Sequence, residues 1–163
     1  MQVAVCGPAE CTDDEARAAF EVGRLLARRG AIVLCGGGPG VMAAAAAGAR
    51  SADGVAVGVR PGRREPGATP AELSVVINSG LGQARNAVLV SSADAVIAVG
   101  GSWGTLSEVA MAMRRARDLA PGALPVVNLG GWRVVDVAGL PVPGVLDAAT
   151  PAEAVDLALA AIS

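Results

Sequence analysis

Short, nearly unbroken apolar runs alternate along the chain with longer segments whose apolar positions recur at helical spacing. Residues 3–6, 31–35, 55–59, 73–78, 95–99 and 124–129 read as strands, and residues 145–148 as a short further one. Between them, residues 13–29, 41–50, 81–92 and 105–118 read as helices, and a last helix begins at Pro151 behind a Thr150 cap. The first helix opens on Asp13, Asp14 and Glu15 and stops at Gly30, as the helix dipole and a glycine stop favour. Strands apolar on both faces belong inside a sheet covered on both sides. The pattern therefore predicts an α/β fold, a doubly wound Rossmann-like domain with a mainly parallel sheet and helices on both faces. No linker-like stretch interrupts it, so one domain over residues 1–163 is expected, long enough for one sizeable core. Residues 60–70 break the alternation: they are polar and proline-bearing and carry Arg60, Arg63 and Arg64, a candidate lid.

Composition removes whole classes of chemistry. The chain has no histidine, lysine or tyrosine. A pyridoxal phosphate Schiff base, a Walker lysine and a Ser-His-Asp triad are all excluded, leaving carboxylates, arginines and the backbone to act. The net charge of -2 lacks the basic footprint of a nucleic-acid binder. No run approaches the roughly 18 apolar residues of a membrane span. The first strand starts too close to Met1 for a signal peptide, so no membrane association and a cytoplasmic location are expected. Cys6, Cys11 and Cys35 lack the paired spacing of zinc sites and read as small buried residues, with no metal site expected. Gly48 and the alanines around it permit close helix packing. With Met111, Met113 and the arginines of the central helix, they allow a homodimer or higher homo-oligomer.

Glycine or small-residue turns follow three strand ends: Gly36-Gly37-Gly38-Pro39-Gly40, Ser79-Gly80-Leu81-Gly82, and Gly100-Gly101-Ser102-Trp103-Gly104-Thr105. In a doubly wound sheet these turns lie at the ligand-binding edge. Glycine admits an anion close to the backbone, and the free N–H groups of the next helix hold phosphate without a lysine. The expected partner is thus a phosphorylated small molecule, with Gly36, Gly37, Gly38, Gly80, Asn86, Gly100, Gly101, Ser102, Gly104 and Thr105 as candidate binders. The stretch Gly38-Pro39-Gly40-Val41-Met42-Ala43 matches a dinucleotide fingerprint in form. It follows the second strand, however, and Arg60 stands where a ribose-binding acid belongs, so that reading is set aside.

Two side chains stand out. Arg85 sits one turn into a glycine-led helix, directly before an apolar run where an exposed charge is out of place. Glu108 follows the Gly100–Thr105 turn within one helical turn. Thr105-Leu106-Ser107-Glu108 also has the form of a capping box, which would occupy Glu108 locally. Trp103 is open to two readings, stacking on a ring or packing within the protein.

At these residues the chain resembles the LOG-like family, once labelled lysine decarboxylase-like, whose Gly-Gly-x-Gly-Thr-x-x-Glu signature corresponds here to Gly100 or Gly101 through Glu108, with Ser102-Trp103 inside the loop, and whose upstream helix arginine corresponds to Arg85. The Gly36–Met42 turn, residues 93–97 and residues 126–132 fall in family order. The resemblance implies a phosphoribohydrolase that cleaves the N-glycosidic bond of a nucleoside 5′-monophosphate and needs no cofactor. Arg85 and Glu108 would be its catalytic pair, and Gly101, Gly104 and Thr105 its phosphate binders. Glu108 would then steady a ribosyl oxocarbenium ion while Arg85 holds the phosphate or the leaving base. Arg85-Asn86 and Val99-Gly100-Gly101 replace the Arg-Lys and Pro-Gly-Gly of those enzymes. They bring the chain closer to a sister branch that includes molybdenum cofactor carriers, which bind a pterin phosphate without turnover. Non-catalytic carriage of molybdenum cofactor, or sensing of a nucleotide, is thus the alternative. The decarboxylase label fails outright for want of a lysine.

Overall fold

The computed structural model describes residues 1–62 and 71–160, so Arg63 and Arg64 of the candidate lid lie outside the described residues. Seven strands, β1 (Gln2–Cys6), β2 (Ile32–Cys35), β3 (Ala56–Arg60), β4 (Val75–Asn78), β5 (Ala95–Val99), β6 (Val126–Leu129) and β7 (Val145–Ala148), form one sheet in the order β4-β3-β2-β1-β5-β6-β7. Every neighbouring pair is parallel. The helices are α1 (Asp13–Arg28), α2 (Val41–Ser51), α3 (Arg85–Ser91), α4 (Trp103–Ala116) and α5 (Pro151–Leu159). This is the doubly wound α/β architecture that the alternation predicts.

Strand periodicity sorts the core into two layers. Val3, Val5, Val33 and Ile97 pack with α1, α2 and α5, including Ala19, Val22, Leu26, Ala45 and Ala154. Ala4, Cys6, Leu34 and Val96 face the other way, onto Leu89 and Val90 of α3 and Val109 and Ala112 of α4. Gly48 has a definite intrachain use: a Cβ there would lie 1.9 Å from the Phe20 carbonyl oxygen of α1, and one on Gly23 would lie 2.0 Å from that of Ala45. The small-residue stripe of α2 is therefore spent on contact with α1 rather than on a second subunit.

The strand order creates the crevice. From β1 the chain winds outward through β2, β3 and β4, then crosses back to place β5 on the other side of β1. The carboxyl ends of β1 and β5 flank the switch point, where open α/β sheets bind ligands. The crossing segment differs from the sequence expectation of one helix over residues 81–92: a 3-10 turn spans Gly82–Ala84, and α3 proper starts at Arg85. Gly82 has a φ of 56°, a left-handed value that interrupts regular helix. Arg60, expected in the loop, ends β3 instead, where its carbonyl accepts from the Ser79 N–H and hydroxyl. No helix among the described residues is long and apolar enough to cross a membrane.

Candidate functional site

The start of α4 settles the role of Glu108. Its N-cap is Ser102, whose hydroxyl accepts from the Thr105 N–H at 3.2 Å and lies 2.9 Å from the Thr105 hydroxyl. The expected Thr105–Glu108 capping box is not formed. Helix begins two residues earlier than the pattern suggests, at Trp103, and Thr105 becomes an interior first-turn residue. Ser102→Ala should therefore cost about 1 kcal/mol of stability, read from a chemical denaturation midpoint.

Released from capping, Glu108 points across to α3. Its Oε1 lies 3.2 Å from Arg85 Nη1, and the side chains are only 7% and 11% exposed. Beside it, the neighbouring Asn86 donates through Nδ2 to Ser107 Oγ at 3.1 Å, and that hydroxyl donates to the Gly104 carbonyl at 2.7 Å. The two helices are thus joined by a charged rung and a neutral one. Burial raises the Glu108 pKa above the ordinary carboxylate value, against the pull of Arg85 and of a hydrogen bond with Cys6. Burial, followed by the adjoining Glu108, pushes the Cys6 thiol well up. Cys6 ends β1 at the switch point; it is buried, as the sequence reading expects, but its hydrogen bond to Glu108 carries no sequence signal.

The Arg85 guanidinium lies against the first glycine turn. A Cβ on Gly36 would stand 2.6 Å from Arg85 Nη2, so this turn and the α3 arginine meet. Arg85 Nε is buried without a hydrogen-bond partner among the described residues, as is Asn86 Oδ1. Orphaned buried polar atoms are costly, and these two belong to neighbouring residues at the start of α3.

The other glycines divide by what fills the space a side chain would need. Gly37 is packed by the Arg60 stem and Gly58, and Gly38 by Met42. At Gly100 a Cβ would fall 2.2 Å from Glu15 Oε1, and at Gly101 2.3 Å from Trp132 Cδ1. Those two glycines make room for a carboxylate and an indole of the protein itself, so phosphate approach is not needed to explain them. Gly104 has only Ser102 Oγ nearby, at 3.6 Å, which leaves the first turn of α4 open around Ser102, Gly104 and Thr105. A Cβ on Gly80 would meet nothing within 4 Å among the described residues. Trp103 is 79% exposed and stands edge-on to Trp132, with ring centroids 5.0 Å apart. Trp132 and Glu15 are contributors that the sequence does not single out, because one reads only as the end of the 126–132 segment and the other only as a first-turn acid of α1.

Arg85, Glu108, Gly36, Asn86 and the α4 start thus gather over the carboxyl ends of β1, β2 and β5, next to a buried guanidinium with a spare donor. Known proteins share this fold over nearly the full chain. The molybdenum cofactor binding protein of the phototrophic bacterium Rippkaea orientalis superposes with a TM-score of 0.85 at 32% identity, covering 99% of this chain and 97% of that one. The molybdenum cofactor carrier protein of Chlamydomonas reinhardtii gives 0.82 at 30% identity, covering 99% and 98%. An uncharacterized protein of Archaeoglobus fulgidus is 38% identical over 136 residues, 83% of this chain and 88% of its own. The family model described as SLOG cluster4 family matches residues 1–121, so the chain belongs to that family, in the LOG-like branch with the molybdenum cofactor carrier-like proteins.

Proposed function

We propose that this protein binds a phosphorylated pterin of the molybdenum cofactor type and carries it without chemical turnover. The observation that carries this reading is the Arg85 guanidinium, buried at the switch point against Gly36 with an unpartnered Nε. A buried, permanently charged fork with a spare donor is suited to an anionic oxygen. The Ser102 and Thr105 hydroxyls and the open first turn of α4 add donors for the same phosphate, with the helix dipole behind them. The two full-length structural neighbours that bind or carry molybdenum cofactor support the pterin as the rest of the ligand. The pterin and its metal are cargo here, held by this chain's own residues in the cytoplasm. No residue is assigned a role in breaking a bond.

Nucleotide hydrolysis is the second reading, favoured by the pairing of Arg85 with Glu108 at 3.2 Å. A carboxylate that steadies a ribosyl cation has to be ionised and to face the sugar. Glu108 instead spends its oxygens on Arg85 and Cys6. We further propose self-association into a homodimer or higher homo-oligomer through the side of α3 that carries the exposed Val88.

The test incubates the wild type and Glu108→Ala with a pterin phosphate and with a panel of nucleoside 5′-monophosphates. Binding is followed by calorimetry, and free base and ribose 5-phosphate by chromatography. Stoichiometric binding of the pterin phosphate with no base released from any nucleotide is expected. Release of base by the wild type but not by Glu108→Ala would replace carriage with phosphoribohydrolase activity.

A further inference from the structure

The two rungs between α3 and α4 divide the surface above them. Arg85 and Glu108 are adjacent in sequence to Asn86 and Ser107, so alternate residues of the same turns form the charged rung and the neutral rung. Beside the neutral rung lies a groove lined by Gln83, Asn86, Trp103, Gly104, Ser107 and Met111, and no lining residue is charged. Three features suit it to a flat ring. The Trp103 indole is 79% exposed, an unusual investment for a large aromatic residue unless something covers it. Gly104 presents no side chain, and Met111 offers a flexible, polarizable thioether. The third feature points to a ligand independently. Asn86 is 3% exposed, its Nδ2 is used by Ser107, and its Oδ1 has no partner. An acceptor left open in the lining of an uncharged groove calls for an N–H donor.

The geometry points to this groove as the subsite for the planar heterocycle of the ligand, with Trp103 stacking on the ring and Asn86 Oδ1 accepting from a ring N–H or amino group. The inference rests on the phosphate-binding reading and extends it. Phosphate goes to Arg85 and the Ser102 and Thr105 hydroxyls, and an uncharged, amino-bearing ring lies beside it, against Asn86 and Trp103. Pterins and purines share that chemistry, and the experiment separates them.

The chain's two tryptophans make the test direct, since Trp132→Phe leaves Trp103 as the sole indole reporter. That protein is titrated with inorganic phosphate, ribose 5-phosphate, adenosine 5′-monophosphate and 6-hydroxymethylpterin phosphate, following Trp103 emission and, in parallel, heat. Emission should be quenched by ring-bearing ligands alone, and the pterin should bind more tightly than the ringless phosphates. Trp103→Ala, which removes an exposed side chain, should weaken the best ring-bearing ligand about tenfold, as the loss of one stacking partner does, while leaving ribose 5-phosphate unchanged. Asn86→Ala should reduce preference for the ring in the same direction; if that variant does not fold, the Trp103 comparison decides alone. A tighter response to the adenine nucleotide than to the pterin keeps the subsite and changes its occupant to a purine. Equal loss for ring-bearing and ringless ligands, or no quenching on saturation, overturns the subsite while the phosphate reading stands. No binding of any phosphate overturns both. If Trp103→Ala lowers the oligomeric mass and leaves every affinity unchanged, a second copy covers the groove and the inference is wrong.

Discussion

Replacing Arg85 by methionine should destabilise the folded protein by about 3–5 kcal/mol near neutral pH and remove affinity for phosphorylated ligands. The substitution keeps most of the side-chain volume but leaves the Glu108 carboxylate, 7% exposed, without its cation. Glu108→Leu should be destabilising for the converse reason. The double variant Arg85→Met, Glu108→Leu should recover most of the lost stability, because it buries no charge at all, while still failing to bind. A chemical denaturation cycle over the four proteins measures this. Additive losses in the double variant would mean that the pair is not a unit.

The same pair sets a pH dependence. The folded-state pKa of Glu108 is raised above its unfolded value of 4.5, chiefly by burial. Between those two values the folded protein holds a proton that the unfolded chain has released. Stability from this group therefore falls as pH rises from the unfolded pKa to the folded one, and is flat above that window. Glu108→Gln should abolish that slope, which a series of denaturation midpoints across mildly acidic pH would reveal.

Gly48→Ala should cost about 2–3 kcal/mol, although alanine is the better helix former. Its Cβ would sit 1.9 Å from the Phe20 carbonyl oxygen, a backbone atom that yields only if α1 and α2 move apart. Gly23→Ala meets the Ala45 carbonyl oxygen at 2.0 Å and should behave alike. Both lie in one interface, so their combined effect should be less than additive once the helices have separated. Gly62, whose Cβ would meet nothing within 4 Å, is the control, and Gly62→Ala should change the denaturation midpoint little. Wild-type stability in Gly48→Ala would show that the helices are not packed through their backbones.

Much of the architecture was legible without coordinates, because strands buried on both faces leave unbroken apolar runs that local pattern detects. Residues 95–99 and 145–148 coincide with β5 and β7, and Thr150 and Pro151 open α5 as read. The boundaries that slipped did so at the site. The helix expected from Thr105 starts at Trp103, since Gly-Ser-Trp-Gly reads as a turn unless Ser102 is known to cap it. The expected single helix over residues 81–92 divides at Arg85, where left-handed Gly82 precedes it.

By itself, then, the sequence determined a parallel α/β sheet, glycine turns at its strand ends in a chain without lysine or histidine, and Arg85 and Glu108 as the residues to watch. It did so because alternation, glycine turns and missing side chains are properties of the chain alone. Tertiary structure decided which competing use each residue serves. It took Glu108 from a cap to Arg85, set Gly100 and Gly101 against Glu15 and Trp132, and spent the α2 small-residue stripe on α1. Each of these depends on atoms distant in sequence meeting within a few ångströms, and local propensity holds no record of such meetings.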